Sequence, residues 1–180
     1  MKNQEKTIAI QNYFQKIVNL LTDNQKEHFK DTAQHLTKLY TYTIFKQQTI
    51  KIPSFTLLKN TQKHSQNIIQ KHIPIKTFCP HHLLPYFGKI NIAYQPQKYL
   101  IGLSDLHKII DYCLLQPQIQ EKLTEKIAQT VKKIIQTTHV GIIIQATHTC
   151  VTMRSQAITN NTITTSLHGI FKEQYQEILH

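Results

Sequence analysis

Two short segments about seventy residues apart put the tightest limit on how this chain can fold. The first is Cys79-Pro80-His81-His82-Leu83-Leu84-Pro85, which places a thiol and two adjacent imidazoles in four residues and brackets them with prolines. The second is His148-Thr149-Cys150. Cys79 and His82 have C-x-x-H spacing, so one short turn can present both, and Cys150 offers a third donor. Zn²⁺ takes thiolate sulfur at about 2.3 Å and imidazole nitrogen at about 2.0 Å, and three protein ligands with an open fourth position is its catalytic arrangement. The plainer account is that cysteines serve as small buried hydrophobes and that eleven histidines put two side by side by chance. Two features favour the metal reading. Alternation along Ile144, Ala146, His148 and Cys150 predicts a strand with the last two side chains on one face. Pro80 and Pro85 restrict the backbone of the first segment, as a preorganised loop requires.

Composition narrows the remaining choices. At 180 residues the chain is long enough for a sizeable core, and no apolar run approaches the roughly 20 residues of a membrane span. The N-terminal Met1-Lys2-Asn3-Gln4-Glu5-Lys6 has no apolar secretory region. Three scattered cysteines do not make a disulfide framework, and a reducing cytoplasm fits both that count and a thiolate metal site. The net charge of +11, from 21 Lys and Arg against 10 acids, suits a polyanionic partner, either nucleic acid or a nucleoside triphosphate. The plainer reading is that the lysines solvate the surface. Arg154 is the one arginine, which argues against a dedicated nucleic-acid reader, since those rely on arginine forks.

Along the chain, Ile10, Phe14, Ile17 and Leu21 predict an amphipathic helix over 4–22. Asp23 or Asn24 would cap a second helix into the mid-forties, with Phe29, Ala33, Leu36, Tyr40 and Ile44 as its apolar stripe. Residues 46–70 read as a loop-rich connection with a short strand at 54–58. An extended segment from about 67 runs into Cys79, and Gly88–Tyr94 alternates as a half-buried strand, so the two predict an antiparallel hairpin with the Cys/His loop near its turn. Ser104 is the expected N-cap of a helix with Leu106, Ile109, Ile110, Cys113 and Leu114 inside, which assigns Cys113 to packing. Pro117 is expected in the first turn of the next helix, with the stripe Leu123, Ile127, Val131 and Ile134. A strand over 140–153, a Thr-rich partner at 158–167 and a short helix after Gly169 complete an α+β fold with antiparallel strands.

At these residues the chain resembles the GTP cyclohydrolase I family. The likeness is carried by Cys79-Pro80-His81-His82-Leu83-Leu84-Pro85-Tyr86-Phe87-Gly88-Lys89, Ala93-Tyr94-Gln95-Pro96 and Ile101-Gly102-Leu103-Ser104. It continues through Gln118-Ile119-Gln120-Glu121-Lys122-Leu123-Thr124, Ala146-Thr147-His148-Thr149-Cys150, Arg154 and Thr164-Thr165-Ser166-Leu167. Several ordered blocks in one chain are far more specific than any single motif. The resemblance implies the tunnelling fold, an antiparallel sheet with helices on one face, with residues 1–46 as an N-terminal helical extension and 47–180 as the cyclohydrolase domain. It also implies a cytoplasmic homodecamer with sites between subunits. The implied reaction opens the imidazole ring of GTP at C8, releases formate and closes a pterin, giving 7,8-dihydroneopterin triphosphate for pterin and tetrahydrofolate biosynthesis.

The resemblance also implies roles for residues. Cys79, His82 and Cys150 would hold zinc, and His81 and His148 would act as acid–base groups, for which imidazole titrates in the right range. Gln120 and Glu121 would hold the purine, with a buried Glu121 carboxylate accepting from guanine N1–H and the 2-amino group. Lys38, Ser104, Lys108 and Arg154 match positions that grip the triphosphate. His35 and Asp105 stand where the family usually has arginine and lysine, Lys108 replaces an arginine, Pro80 a glutamate and His168 a small residue. These exchanges leave GTP, gripped differently, as the expected substrate. The alternatives are a related purine nucleotide with a different phosphate group, or a non-catalytic nucleotide-binding homologue.

Overall fold

A long apolar strand must find partners for its backbone polar groups on both sides, and Val140–His148 does so inside a four-stranded antiparallel sheet. The computed structural model describes residues 3–22, 27–45, 52–154 and 161–179. The chain divides into two compact units, Met1–Thr49 and Ile50–His180.

The first unit contains α1 (Asn3–Thr22) and α2 (Thr32–Leu39), the latter continued by a π-helical turn, Tyr40–Ile44. The second helix begins at Thr32, so Phe29 of the expected stripe lies in the turn before it; Ala33 and Ile44 are buried, Leu36 and Tyr40 half-buried, and Thr37 joins them by bonding back to the Ala33 carbonyl. On α1 the buried line falls elsewhere. Phe14 lies against Tyr40, ring centroids 5.3 Å apart, and Val18 one turn on is buried, while Ile17 and Leu21 are exposed. The expected cap at Asp23 or Asn24 lies outside the described residues, as do 46–51 and 158–160.

In the second unit, β1 (Leu57–Lys59) pairs with β4 (Tyr99–Ile101), a strand the sequence reading did not include. The larger sheet runs β2 (Ile68–Phe78), β3 (Pro85–Tyr94), β5 (Val140–His148), β6 (Asn161–His168), every pair antiparallel. Alternation sends Ile73, Ile75, Tyr86, Ile90, Ile92, Tyr94, Val140, Ile142 and Ile144 to one face. There they meet the apolar sides of α3 (Leu103–Leu114) and α4 (Gln120–Ile135). The opposite face is covered at one end by Phe171 and Ile178, from the 3₁₀ turn Gly169–Lys172 and α6 (Gln176–Leu179), which pack on Ala93 and Ile143. The arrangement is therefore α+β with the two long helices on one face, as expected, plus a small apolar patch on the other.

Three local expectations are corrected. Gly102, not Ser104, precedes the first turn of α3, and Ser104 lies inside it with no cap bond. Pro117 lies in the link before α4 rather than in its first turn, and the inner stripe of α4 takes in Ile135, fully buried, beside the expected Ile134, which packs half-buried on the same core. The strand expected through 153 stops at His148, and Thr149–Thr152 forms a helical turn, α5. Gly88 has no room for a side chain: a Cβ there would fall within the Gln145 carbonyl oxygen and 2.6 Å from the Ala146 Cα, so β3 and β5 approach closely just before the site.

A directional hydrogen-bond relay clasps α4 to β6. Lys132 Nζ can only donate, so His168 Nδ1, 3.4 Å away, accepts. His168 Nε2–H then donates to Ser166 Oγ at 3.0 Å, and the Ser166 hydroxyl donates to Glu125 Oε2 at 2.6 Å. Burial, then the charges of Lys132 and Lys172, push the His168 imidazole below its ordinary 6.5, with Glu125 opposing. Bonds from Ser166 and Gln129 hold Glu125 below 4.5. Folding thus favours neutral His168, so its contribution is complete above pH 6.5 and is lost as pH falls from there through the lower folded value. Thermal unfolding measured from pH 8 downward should begin to weaken near 6.5, ahead of the Glu125 step below 4.5. His168→Gln should diminish the first step, leaving the share that His148 contributes, and leave the second unchanged.

Candidate functional site

The β2–β3 hairpin closes through the Cys79 loop. Cys79 N–H donates to the Leu84 carbonyl at 2.9 Å, and Leu83 N–H donates to the Cys79 carbonyl at 2.8 Å. Leu83 adopts φ 52°, a left-handed conformation costly for a branched residue, and these two bonds hold it there. The turn raises His81 and His82 to the surface and leaves the Cys79 thiol buried. Because β3 pairs with β5 so that Tyr86 lies opposite His148, the turn after β5 comes back to the same end of the sheet. Thr149 Oγ1 donates to the Pro85 carbonyl at 2.6 Å and pins that turn to the hairpin, with Cys150 buried on α5.

The donor atoms of Cys79, His82 and Cys150 consequently lie within 4.8 Å of one another, with Cys79 Sγ 3.9 Å from His82 Nδ1. Tetrahedral zinc with its usual bond lengths needs ligand–ligand separations of about 3.5 to 3.8 Å, so a side-chain adjustment of about an ångström satisfies it. The donor set, two thiols and one imidazole, suits zinc as well. Burial, then the charge of Cys79 and a hydrogen bond with its sulfur, push the Cys150 thiol up, and Arg154 opposes them. A cation between the sulfurs reverses that balance. His81 Nδ1 is also 3.8 Å from Cys79 Sγ, its ring edge-on to His82 with centroids 6.3 Å apart, but His82 is the one that completes the triangle with Cys150.

His148 ends β5 on the helix-facing side, and Cys150, on a helical turn, is not on the strand face expected for it. The His148 ring stacks on Tyr86 at 4.5 Å and 16°, and its Nε2 is 2.8 Å from Gln120 Oε1. Burial pushes the imidazole below its ordinary value and Glu121 opposes it, so His148 is neutral near pH 7. Burial, then Cys79 and Glu121, push the Tyr86 phenol well up; it stays protonated and donates to the Gln118 carbonyl at 3.0 Å. Neither Tyr86 nor the threonines around Gln120 were singled out from the sequence. The available signal was Tyr86's place in the alternation that ends opposite His148.

At the start of α4 Gln120 is buried, whereas Glu121, expected to be a buried carboxylate, is exposed. Ser104, Lys108 and Arg154 are exposed too, and Arg154 Nε donates to the Cys150 carbonyl at 3.0 Å. Asp105 is buried, accepting from Thr56 N–H at 2.8 Å and from Lys108 Nζ at 2.6 Å, which holds its carboxyl below the usual range. Lys38 and His35 are exposed on α2 in the first unit. Cys113 is a core residue with its sulfur 3.7 Å from Thr130 Oγ1, as expected.

Together these features describe an α+β protein built around a candidate Cys–His–Cys metal centre with a buried histidine–glutamine pair alongside. The profile of GTP cyclohydrolase I matches residues 10–178. The chain belongs to the GTP cyclohydrolase I family. It is 36% identical over 175 residues to GTP cyclohydrolase 1 of Buchnera aphidicola subsp. Schizaphis graminum, covering 96% of this chain and 80% of that one. It is 39% identical over 150 residues to GTP cyclohydrolase 1 of a Hydrogenobaculum species, covering 83% and 80%. With GTP cyclohydrolase 1 of Fusobacterium nucleatum subsp. nucleatum the identity is 36% over 176 residues, covering 96% and 92%. Among the described residues no helix is long and apolar enough to cross a membrane.

Metal content of purified variants tests the ligand set. Cys79→Ala, His82→Ala and Cys150→Ala should each lose stoichiometric zinc after dialysis, whereas His81→Ala should retain it.

Proposed function

We propose that the chain is a zinc-dependent GTP cyclohydrolase that opens the imidazole ring of GTP at C8, releases formate and closes a pterin ring. The observation that carries this reading is the convergence of Cys79, His82 and Cys150 in a member of a family whose relatives bear that name. When bound, zinc supplies Lewis-acid activation of water near neutral pH. Cys79 and Cys150 would hold it from buried positions and His82 from the exposed turn.

His148, neutral and fixed between Tyr86 and Gln120, takes and returns a proton at the purine. His81, exposed on the same turn, serves the ribose side. Glu121, exposed where α4 begins, accepts from guanine N1–H and the 2-amino group, donors that adenine does not present together. Ser104 and Lys108 on α3 and Arg154 beside Cys150 take the triphosphate. The same reading includes a site completed by a second copy, within a cytoplasmic homodecamer.

One observation favours a second reading, a related purine nucleotide with a different phosphate group. Asp105 holds Lys108 at 2.6 Å and so neutralises part of the charge a triphosphate would meet. Zinc-loaded protein incubated with GTP, GDP, GMP and guanosine, then assayed for formate and for pterin fluorescence after oxidation, separates the two. GTP should be the best substrate; turnover of GMP or GDP but not GTP selects the second reading, and formate without pterin marks an enzyme that stops at ring opening. His148→Ala should keep its zinc and lose about 10²- to 10⁴-fold in turnover, the usual worth of a general acid–base group.

A further inference from the structure

Gln120 is the most heavily bonded buried side chain beside the site, and its bonds have only one consistent direction. Its Nε2 lies 3.1 Å from the Ile144 carbonyl, 2.9 Å from the Thr162 carbonyl and 3.1 Å from Thr164 Oγ1. Two of these three are backbone carbonyls, which only accept, so the atom facing them must be the amide nitrogen. The threonines agree. Thr124 Oγ1–H donates to the Gln120 backbone carbonyl at 2.7 Å, which uses its one proton. Thr164, 2.6 Å from Thr124 Oγ1, must therefore donate to it and can accept from Gln120 Nε2. The two amide protons are shared among these three acceptors: the two carbonyls would face Oε1 after an amide flip and so oppose it, and the circuit through the two hydroxyls back to the Gln120 carbonyl adds to that hold.

The remaining atom, Oε1, can only accept, and it faces His148 Nε2 at 2.8 Å. An acceptor there requires a proton on His148 Nε2 whatever the charge of the ring, which leaves Nδ1 as the nitrogen free to take or give one. Stacking on Tyr86 at 4.5 Å prevents the ring from turning to exchange the two.

We infer that Gln120 is a positioning residue that fixes the tautomer and orientation of His148 through the Thr124–Thr164 circuit, and that it does not contact the purine. Purine recognition at the start of α4 then falls to Glu121 alone. The functional half of this rests on the acid–base role proposed for His148, but the tautomer does not, and the two halves are tested separately. Setting a tautomer is a large effect in principle, since replacing the partner that orients a catalytic imidazole can cost about 10⁴ in rate.

The first measurement needs no substrate. In zinc-loaded protein carrying ¹⁵N-histidine, the His148 resonances, assigned by their loss in His148→Asn, should show the Nε2–H pattern. An Nδ1–H pattern overturns the inference whether or not the chain acts on GTP. Gln120→Met keeps the volume and removes the acceptor, and should give a mixture of tautomers. The second measurement is kinetic: Gln120→Met should lower kcat at least tenfold while KM for GTP stays within twofold. A raised KM with kcat unchanged makes Gln120 a purine contact and overturns the inference. Should Gln120→Met fail to fold, Thr164→Val breaks the circuit one bond further out and should lower kcat in the same direction, with Thr164→Ser restoring it. No loss in Thr164→Val, or a loss that Thr164→Ser does not restore, also overturns the assignment.

Discussion

The antiparallel register between β3 and β5 is the constraint on which the rest depends. It sets Tyr86 opposite His148 and Ile90 opposite Ile144, so one apolar face continues without a break into the stacked Tyr86–His148 pair. With the β2–β3 hairpin closing at Cys79 and β5 ending at His148, two segments remote in sequence reach the same end of the sheet. Thr149 then ties one to the other through the Pro85 carbonyl. The core that pins this register, Ile142, Ile144, Leu123 and Ile127 among others, is fully buried. The site therefore draws its precision from packing that takes no part in the chemistry.

Around that end the polar groups are satisfied rather than free. A buried amide left unbonded costs on the order of 1–3 kcal/mol, and Gln120 avoids that cost by bonding both strands of the β5–β6 pair. Gln118 N–H donates to the Phe78 carbonyl, which draws the link before α4 onto β2. The helix start, the two strands and the histidine are thus held by one another, and the relay through Glu125, Ser166, His168 and Lys132 repeats that junction further along α4. Asp105 is another such case. A carboxylate in that position reads as repulsive to a phosphate, yet in the folded chain it serves the Thr56 amide and Lys108 first.

Much of this was legible in the amino-acid order. The alternation of 88–94 and the apolar run from 140 marked the two central strands, and the stripes of α3 and α4 placed Ile109, Cys113, Leu123 and Val131 inside. Residue type and spacing alone mark Cys79, His82 and Cys150 as a candidate ligand set. What was hidden depended on neighbours distant in sequence. Alternation suggested that the strand continued to 153, but it has no means of signalling that the chain turns helical at Thr149. Burial of Gln120 rather than Glu121 follows from where β6 lies, since Thr162 and Thr164 provide its acceptors. On α1, Ile17 and Leu21 have the right spacing for a buried stripe, yet Val18 is the residue that packs, one position along.

Because side chains along a strand alternate with a period of two, the number of residues in β5 matters as much as their kind. One extra residue between Val140 and His148 would turn the imidazole away from Tyr86 and Gln120 and carry every later side chain to the opposite face. Substitutions can drift here within the limits of volume and polarity, but length cannot. Insertions and deletions between Val140 and His148 should accordingly be purged during divergence far more strictly than exchanges at the same positions.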